Sequence, residues 1–238
     1  MKKHNPKSFM KHTILFFALL ILTSCGVQKV PLNELHTLEP VKLYENSNDF
    51  LNKQPMEKEL GILVKDKSDQ HITTKGIFDL KTGEKSKNGI SAWAIEYNKD
   101  HYFNLGYSTD VNHWGSYAKF DIEGKYCAII IDENSPYILK STSQTYGGGL
   151  AGGLIAESLK WGKNWKDEEG NKKRILFIDT EDIHNKMMSR NESAHGNYFT
   201  KKQFKKILDE TGTVLTDEKI KEIEFHRIIE LIKSANEK

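Results

Sequence analysis

The sequence contains few cysteines, which limits the ways in which the folded chain can be stabilised. Only Cys25 and Cys127 occur in 238 residues, so a framework of several disulfides is excluded. Cys127 lies in an apolar, strand-like run at 126–131, where we expect a buried and unreactive thiol. Stability must therefore come from a packed hydrophobic core, which a chain of this length is large enough to form.

The chain also lacks an excess of charge of one sign. It carries 35 basic and 33 acidic residues, which gives a formal net charge of +2. Four lysines and no acid lie within residues 1–24, so the remaining chain has 31 basic residues against 33 acidic ones, a net charge of −2. This nearly neutral, mixed composition gives no reason to expect a nucleic-acid partner.

The N-terminal apolar run is too short to span a membrane. Residues 14–22 are nine consecutive apolar residues, about half of the roughly 20 that a membrane-spanning helix needs. Lysines precede this run, and small residues separate it from Cys25. A basic start, a short apolar core and a small-residue cleavage site are the three parts of a secretory signal peptide.

The end of this segment, Leu22-Thr23-Ser24-Cys25, resembles the lipobox of bacterial lipoproteins. The resemblance implies a diacylglyceryl thioether on the Cys25 sulfur, cleavage between Ser24 and Cys25, and acylation of the new amino terminus, for example by palmitate. Two or three acyl chains hold a protein on a membrane durably. We therefore expect a membrane-anchored lipoprotein, facing the periplasm from the outer membrane; the alternatives are an ordinary secretory signal and a buried N-terminal helix.

Residues 71–140 show the alternation of apolar and polar residues that is typical of β-strands. The polar residues 98–100 separate two such runs, 93–97 and 103–107, which predicts an antiparallel hairpin. The run 126–131 is apolar on both faces, so we expect it in the centre of the sheet. With further strands at 61–65, 77–80, 118–122 and 136–139, the sequence predicts an antiparallel β-meander curled as a sandwich or partial barrel.

The C-terminal third has a helical period instead. Thr200 and Gln203 match a capping box, and Gly212 provides a stop after an apolar stripe. A second helix is expected to begin at Thr216 and to complete a helical hairpin that covers the sheet or a partner protein. The predicted class is thus α+β, and the predicted organisation comprises a signal peptide at 1–24, a tether at 25–40 and a single domain at 41–238, with a β-rich part at 61–141, a strand at 174–179 and helices within 200–235.

An acidic segment follows the predicted strand at 174–179. Its Asp179-Thr180-Glu181 sequence is similar to the first motif of two-metal exonucleases, in which the two carboxylates hold the catalytic ions. The further aspartates of that family are missing at the required spacing from His195 and Tyr198. A metal-dependent hydrolase that uses Asp179, Glu181 and His184 is one alternative; the other is a strand that runs into a short helix whose first turn holds Glu181 and Asp182.

The glycine-rich segment at 147–153 does not match a phosphate-binding loop. The lysine of a P-loop is missing, and no parallel βαβ unit surrounds the segment. Its glycines favour a helix at 147–161 with a closely packed face, or a flexible gate.

Aromatic residues are concentrated between positions 93 and 126. The alternation assigns five of them to the core, namely Trp93, Tyr97, Phe103, Tyr107 and Phe120. Tyr102, Trp114 and Tyr117 are left as candidates for an exposed platform that could stack on a sugar ring or hold an apolar ligand. These residues support a glycan-binding module as a second alternative.

The region after the lipobox is broadly similar to uncharacterised envelope lipoproteins of the Bacteroidetes type. The similarity rests on the composition rich in Lys and Asn, on the segment 44–55 with Asp49-Phe50 and Pro55, and on the short β-meander. It implies a cell-envelope domain and supplies no catalytic residue. We therefore expect a lipid-anchored, noncatalytic protein that contacts another envelope component, a protein or a glycan, or a small ligand through its β-domain, and we assign no metal or cofactor.

Overall fold

The computed structural model describes residues 28–87, 89, 91–132, 165–184 and 192–238. These parts of the chain form a closed antiparallel barrel of six strands, a three-stranded antiparallel sheet and a set of C-terminal helices. The predicted α+β class is confirmed, and the predicted partial barrel is closed completely. The predicted strand at 136–139 and the predicted glycine-rich helix at 147–161 lie outside the described residues.

The barrel is made of two three-stranded meanders that close on each other. Strand β1 pairs with β4, and β3 pairs with β6, so the order around the barrel is β1-β2-β3-β6-β5-β4. A short helix, α1 (Ser47–Leu51), follows β1. The strands are β1 (Glu39–Tyr44), β2 (Leu60–Lys67), β3 (His71–Asp79), β4 (Ala94–Tyr97), β5 (Asp100–Asn104) and β6 (Ser116–Lys119).

The predicted hairpin is formed by β4 and β5. Tyr97 pairs with Asp100, so Asn98 and Lys99 form a two-residue loop. Their φ angles of 51° and 71° are those of a type I′ turn, which matches the twist of the flanking strands. The second strand begins and ends three residues earlier than predicted, because Asn104 accepts a hydrogen bond from the Gly106 amide and a 3-10 helix begins there, at Leu105–Tyr107.

The second sheet lies between the barrel and the helices. It consists of β7 (Tyr126–Asp132), β8 (Lys173–His184) and β9 (Ser193–Tyr198), in the order β7-β8-β9. In β7, Cys127 and Ile129 face the barrel, whereas Tyr126 and Ala128 face the helices. The prediction that the 126–131 run is central was wrong, because among the strands that the structure describes β7 lies at the edge of its sheet, with both faces covered by other layers.

The barrel and the second sheet share one aromatic core. Trp93 is fully buried there, and its indole N–H donates to the Ala194 carbonyl of β9 at 2.8 Å. Phe50 of α1 packs on the Trp93 ring with a centroid distance of 5.3 Å. The burial predicted for five aromatic residues is confirmed, for Trp93, Tyr97, Phe103, Tyr107 and Phe120.

The other face of the second sheet is covered by C-terminal helices. Helix α2 (Lys201–Thr211) has the predicted capping box, and Gly212 ends it in the left-handed conformation with φ 66°. Thr216 caps a helix as predicted, but this helix, α3 (Asp217–Lys221), has only five residues. A separate helix, α4 (Phe225–Asn236), forms the long second arm and packs against the sheet with α2.

Much of the segment 25–40, which was predicted to be a tether, is packed against the barrel. Val30 is buried, and its amide donates to the Gly83 carbonyl at 2.8 Å. Lys85 donates from its backbone to the Gln28 carbonyl at 3.0 Å, so the chain contacts the barrel from the first residues that the structure describes. The 3-10 helix Leu32–Thr37 then leads into β1. The tether prediction failed because Val30, Leu35 and Leu38 are too widely spaced to give an apolar period, yet they pack with Phe78 in a small hydrophobic cluster.

Cys127 is buried as predicted. Burial raises the pKa of its thiol to about 12, so the reactive thiolate is suppressed at neutral pH. Within the described ranges, no helix combines the length and the apolar character that crossing a bilayer requires.

His71 makes the stability of the barrel sensitive to acid. Its burial on β3, reinforced by His113, lowers the pKa of the imidazole to about 4, whereas the unfolded chain titrates near 6.5. Between these values the unfolded state binds more protons than the folded state, so stability is complete above pH 6.5 and falls as the pH approaches 4.

We expect the free energy of unfolding to decrease by about 1–2 kcal/mol between pH 7 and pH 5 because of this histidine. His71→Gln should remove most of that decrease, measured by urea denaturation at both pH values. His36→Gln is the matched control, since His36 is exposed on the N-terminal 3-10 helix. An unchanged pH dependence in His71→Gln would contradict the prediction.

Candidate functional site

A polar cleft of about 800 Å³ lies where β8 and β9 meet the start of α2. We call it the polar cleft. It combines three acidic residues with two lysines and three uncharged hydrogen-bonding residues, a composition suited to recognising a polar ligand. Its lining consists of Asp179, Glu181, Asp182, Asn197, Thr200, Lys202, Gln203 and Lys206.

Asp179 reaches the cleft because of the two-residue period of β8. Ile175 and Phe177 face the helices, and Asp179 continues on the same face beyond the apolar part of the layer. Its carboxylate is 8% exposed and accepts a hydrogen bond from the Lys206 ammonium of α2 at 2.5 Å. This ion pair joins the sheet to the helix at the floor of the cleft.

A second group of charges adjoins the cleft at Glu181. Lys125 lies 3.3 Å from the Glu181 carboxylate and 3.2 Å from that of Glu210. The Tyr126 hydroxyl donates a short hydrogen bond to Glu210. Partial burial of Glu210 opposes ionisation of its carboxyl group, but the hydrogen bonds from Tyr126 and Lys125 hold the pKa of Glu210 below its usual range. Glu210 is therefore ionised at neutral pH.

The uncharged residues of the cleft are held together by the cap of α2. Thr200 accepts from the Gln203 amide, and the Gln203 side chain accepts from the Thr200 backbone at 2.9 Å. The Gln203 amide nitrogen donates to Asn197 of β9 at 3.1 Å. Lys202 and Lys206 are four residues apart on α2, so they lie on the same helix face, and both line the cleft.

Among the residues that the structure describes, the acidic segment does not form the predicted metal centre. The predicted helix at Glu181 and Asp182 is wrong, because β8 continues through this segment to His184. Asp179 and Glu181 are each paired with a lysine, and His195 packs on the Tyr107 ring instead of lining the cleft. Among the described residues, no three His, Cys, Asp or Glu side chains are grouped to hold a metal ion; the His184 side chain lies outside that description.

The predicted aromatic platform is also corrected. Tyr102 and Tyr117 are only 4% and 0% exposed, because both lie in the barrel interior. Trp114 is half-buried against Gly106 and the Tyr107 ring, with a centroid distance of 5.4 Å to that ring. The alternation argument assumed one solvated face of the sheet, whereas strand β5 is covered on both faces. These three residues therefore form no common stacking surface.

The fold defines an α+β protein in which a sheet is held between a closed barrel and a helical layer. A model for a family of unknown function (DUF6563) matches residues 42–211, which is more than half of the chain. The chain therefore belongs to this family, and the matched range contains all the residues of the polar cleft. No curated protein and no solved structure matches the chain significantly.

Sequence reasoning identified the acids of the cleft but not their partners. Lys202, Lys206 and Asn197 give no motif, since lysines are common along the chain and β9 was not predicted at all. One signal was available for Gln203, because a capping box fixes its side chain beside Thr200.

The Lys206–Asp179 ion pair gives a stability prediction. Lys206→Met should destabilise the protein by about 1–3 kcal/mol, because it leaves the buried Asp179 carboxylate without its cation. Urea denaturation measures this loss, and adding Asp179→Asn should recover part of it. Lys202→Met is the control, since Lys202 forms no ion pair within the part of the chain that the structure describes. Equal effects of the two lysine substitutions would refute the assignment.

Proposed function

We propose that this protein is a lipid-anchored, noncatalytic binding protein of the bacterial cell envelope, and that the polar cleft contacts another envelope component. The N-terminal segment ending in Cys25 supports the anchor. The cleft supports a binding role, because its side chains are hydrogen-bonding and charged groups without a nucleophile paired to a base.

This proposal rests mainly on where the N-terminal segment first contacts the barrel. Gln28 already accepts a hydrogen bond from the barrel, so a lipid on Cys25 would be connected to the folded body by about three residues. Three extended residues span only about 10 Å. The barrel would then be held against the membrane surface.

The cleft is suitably placed for a partner. The N-terminal segment joins the barrel, whereas the cleft lies between the second sheet and α2, on the side of the sheet away from the barrel. A protein held at the membrane through its barrel would keep this side accessible. The mixed charges of the cleft favour a polypeptide with side chains of both signs over a polyanion, which would meet three acids.

The anchor is tested by substituting the modified cysteine. Cys25→Ser should abolish incorporation of a clickable palmitate analogue and move the protein from the detergent phase to the aqueous phase in phase partitioning. Cys127→Ser is the matched control, because it removes the other cysteine and leaves the lipobox intact. Membrane retention of Cys25→Ser without lipid would overturn the anchor.

The binding role is tested with a photo-crosslinking amino acid placed on α2 in the intact cell. Lys202 borders the cleft, whereas Lys205 is also exposed on the same helix but does not line it. We expect a discrete adduct with an envelope protein from position 202 and none from position 205. Identical patterns from the two positions, or no adduct from position 202, would contradict a contact through the cleft.

A further inference from the structure

Three metal-ligating atoms converge on the outer face of the barrel, away from the polar cleft. The Tyr44 hydroxyl lies 3.4 Å from Glu96 Oε2 and 3.5 Å from His101 Nε2, and the same two atoms of Glu96 and His101 lie 3.8 Å apart. We call these three side chains the Tyr-Glu-His triangle.

The register of the barrel brings the three side chains together. Glu96 and His101 are directly opposite each other on β4 and β5. Tyr44 pairs with Ala94, two residues from Glu96, so its side chain projects from the same face. The His101 ring packs edge-on against both the Phe50 and Tyr44 rings, with centroid distances of 5.3 and 5.7 Å, which restricts its orientation.

The spacing of the triangle fits a bound ion better than it fits direct hydrogen bonds. All three separations exceed the roughly 2.7–3.2 Å of a normal hydrogen bond between oxygen and nitrogen or oxygen atoms. A cation placed equally far from the three corners of a 3.4, 3.5 and 3.8 Å triangle would be about 2.1 Å from each, within the Zn–N and Zn–O bond range.

The outer contacts of His101 are those of a metal-ligating histidine. Its Nδ1 lies 3.0 and 3.1 Å from the two carboxylate oxygens of Glu123, so a proton on Nδ1 can donate to Glu123 while the neutral ring offers Nε2 to an ion. A carboxylate that holds the far nitrogen of a ligating histidine is a recurrent feature of zinc sites. The His101 and Glu96 side chains are about one quarter exposed, which leaves room for a water molecule as the fourth ligand.

Lys42 is the competing cation. Its ammonium lies 2.9 Å from Glu96 Oε1 and 3.1 Å from Oε2. The Lys42 side chain is 59% exposed, so its head group can remain on Oε1 or move into solvent while Oε2 binds an ion.

The geometry points to a site for a divalent cation of the zinc class, bound by Tyr44 Oη, Glu96 Oε2 and His101 Nε2 and oriented by Glu123. The ion would replace the phenolic proton of Tyr44, which passes to solvent. Imidazole, carboxylate and phenol oxygen form a mixed nitrogen and oxygen set that suits zinc and its transition-metal neighbours. This site is independent of the lipid anchor and of the polar cleft.

Calorimetric titration of the chelator-treated full-length chain in detergent micelles with Zn²⁺ tests the site. We expect His101→Phe, which preserves the ring packing, to remove one equivalent of bound Zn²⁺. Glu123→Gln should weaken that equivalent about 10- to 100-fold, as is usual for the partner of a ligating histidine. Lys42→Met should tighten the binding of that Zn²⁺ equivalent, because the competing charge is lost. A cluster with only a structural role would not bind Zn²⁺ more tightly in this variant.

His36→Phe is the matched control for adventitious binding to an exposed histidine and should bind as the parent does. His101→Gln provides a second ligand variant should His101→Phe fold poorly, as judged by its circular dichroism. With Co²⁺ in place of Zn²⁺, the parent and the Lys42→Met variant should show visible d–d absorption that His101→Gln lacks. Equal Zn²⁺ binding by the parent and both His101 variants would overturn the site.

Discussion

The arrangement of this protein depends on how the second sheet is held against the barrel. Trp93 lies at the centre of this interface, fully buried, with its only polar atom satisfied by the Ala194 carbonyl. Burying a large aromatic ring contributes most when its N–H finds a partner, because an unsatisfied donor in the core would cost about 1–3 kcal/mol. Ser47 adds polar contacts nearby, since its amide and hydroxyl bond Ser193 and Thr180 across the same interface.

Once the sheet is held there, its other face also has to be covered. The alternate residues of β7 and β8 that point away from the barrel are apolar, and α2 and α4 bury them. Strand β8 continues beyond this helical cover as far as His184. Asp179 is the residue at which the strand leaves the apolar layer, so a carboxylate there requires a cation from the covering helix. The polar cleft is therefore a consequence of a strand that is longer than the layer above it.

Local patterns in the sequence predicted the elements whose causes are local. The hairpin at Asn98-Lys99, the capping box at Thr200 and the stop at Gly212 depend on a few neighbouring residues, and all three are confirmed. The N-terminal contact at Val30 and the ion pair of Asp179 were missed, because each depends on a partner distant in sequence. Tyr102 and Tyr117 were misplaced for a related reason: alternation distinguishes two faces of a strand but does not reveal that both are buried.

The short connection between β6 and β7 links the barrel to the second sheet and is held by contacts on both sides. Between β6 and β7 the chain turns at Glu123-Gly124, where Gly124 adopts φ 144°. On the barrel side Glu123 is bound by His101; on the helical side the Asn236 side chain of α4 accepts from the Tyr126 amide and donates to its carbonyl, both at 2.8 Å. A Cβ at position 124 would lie within 3 Å of Asn236, so the glycine is required by this contact as well as by its φ angle. The connection is thus held from both layers, by Glu123 on the barrel side and by Tyr126 on the helical side.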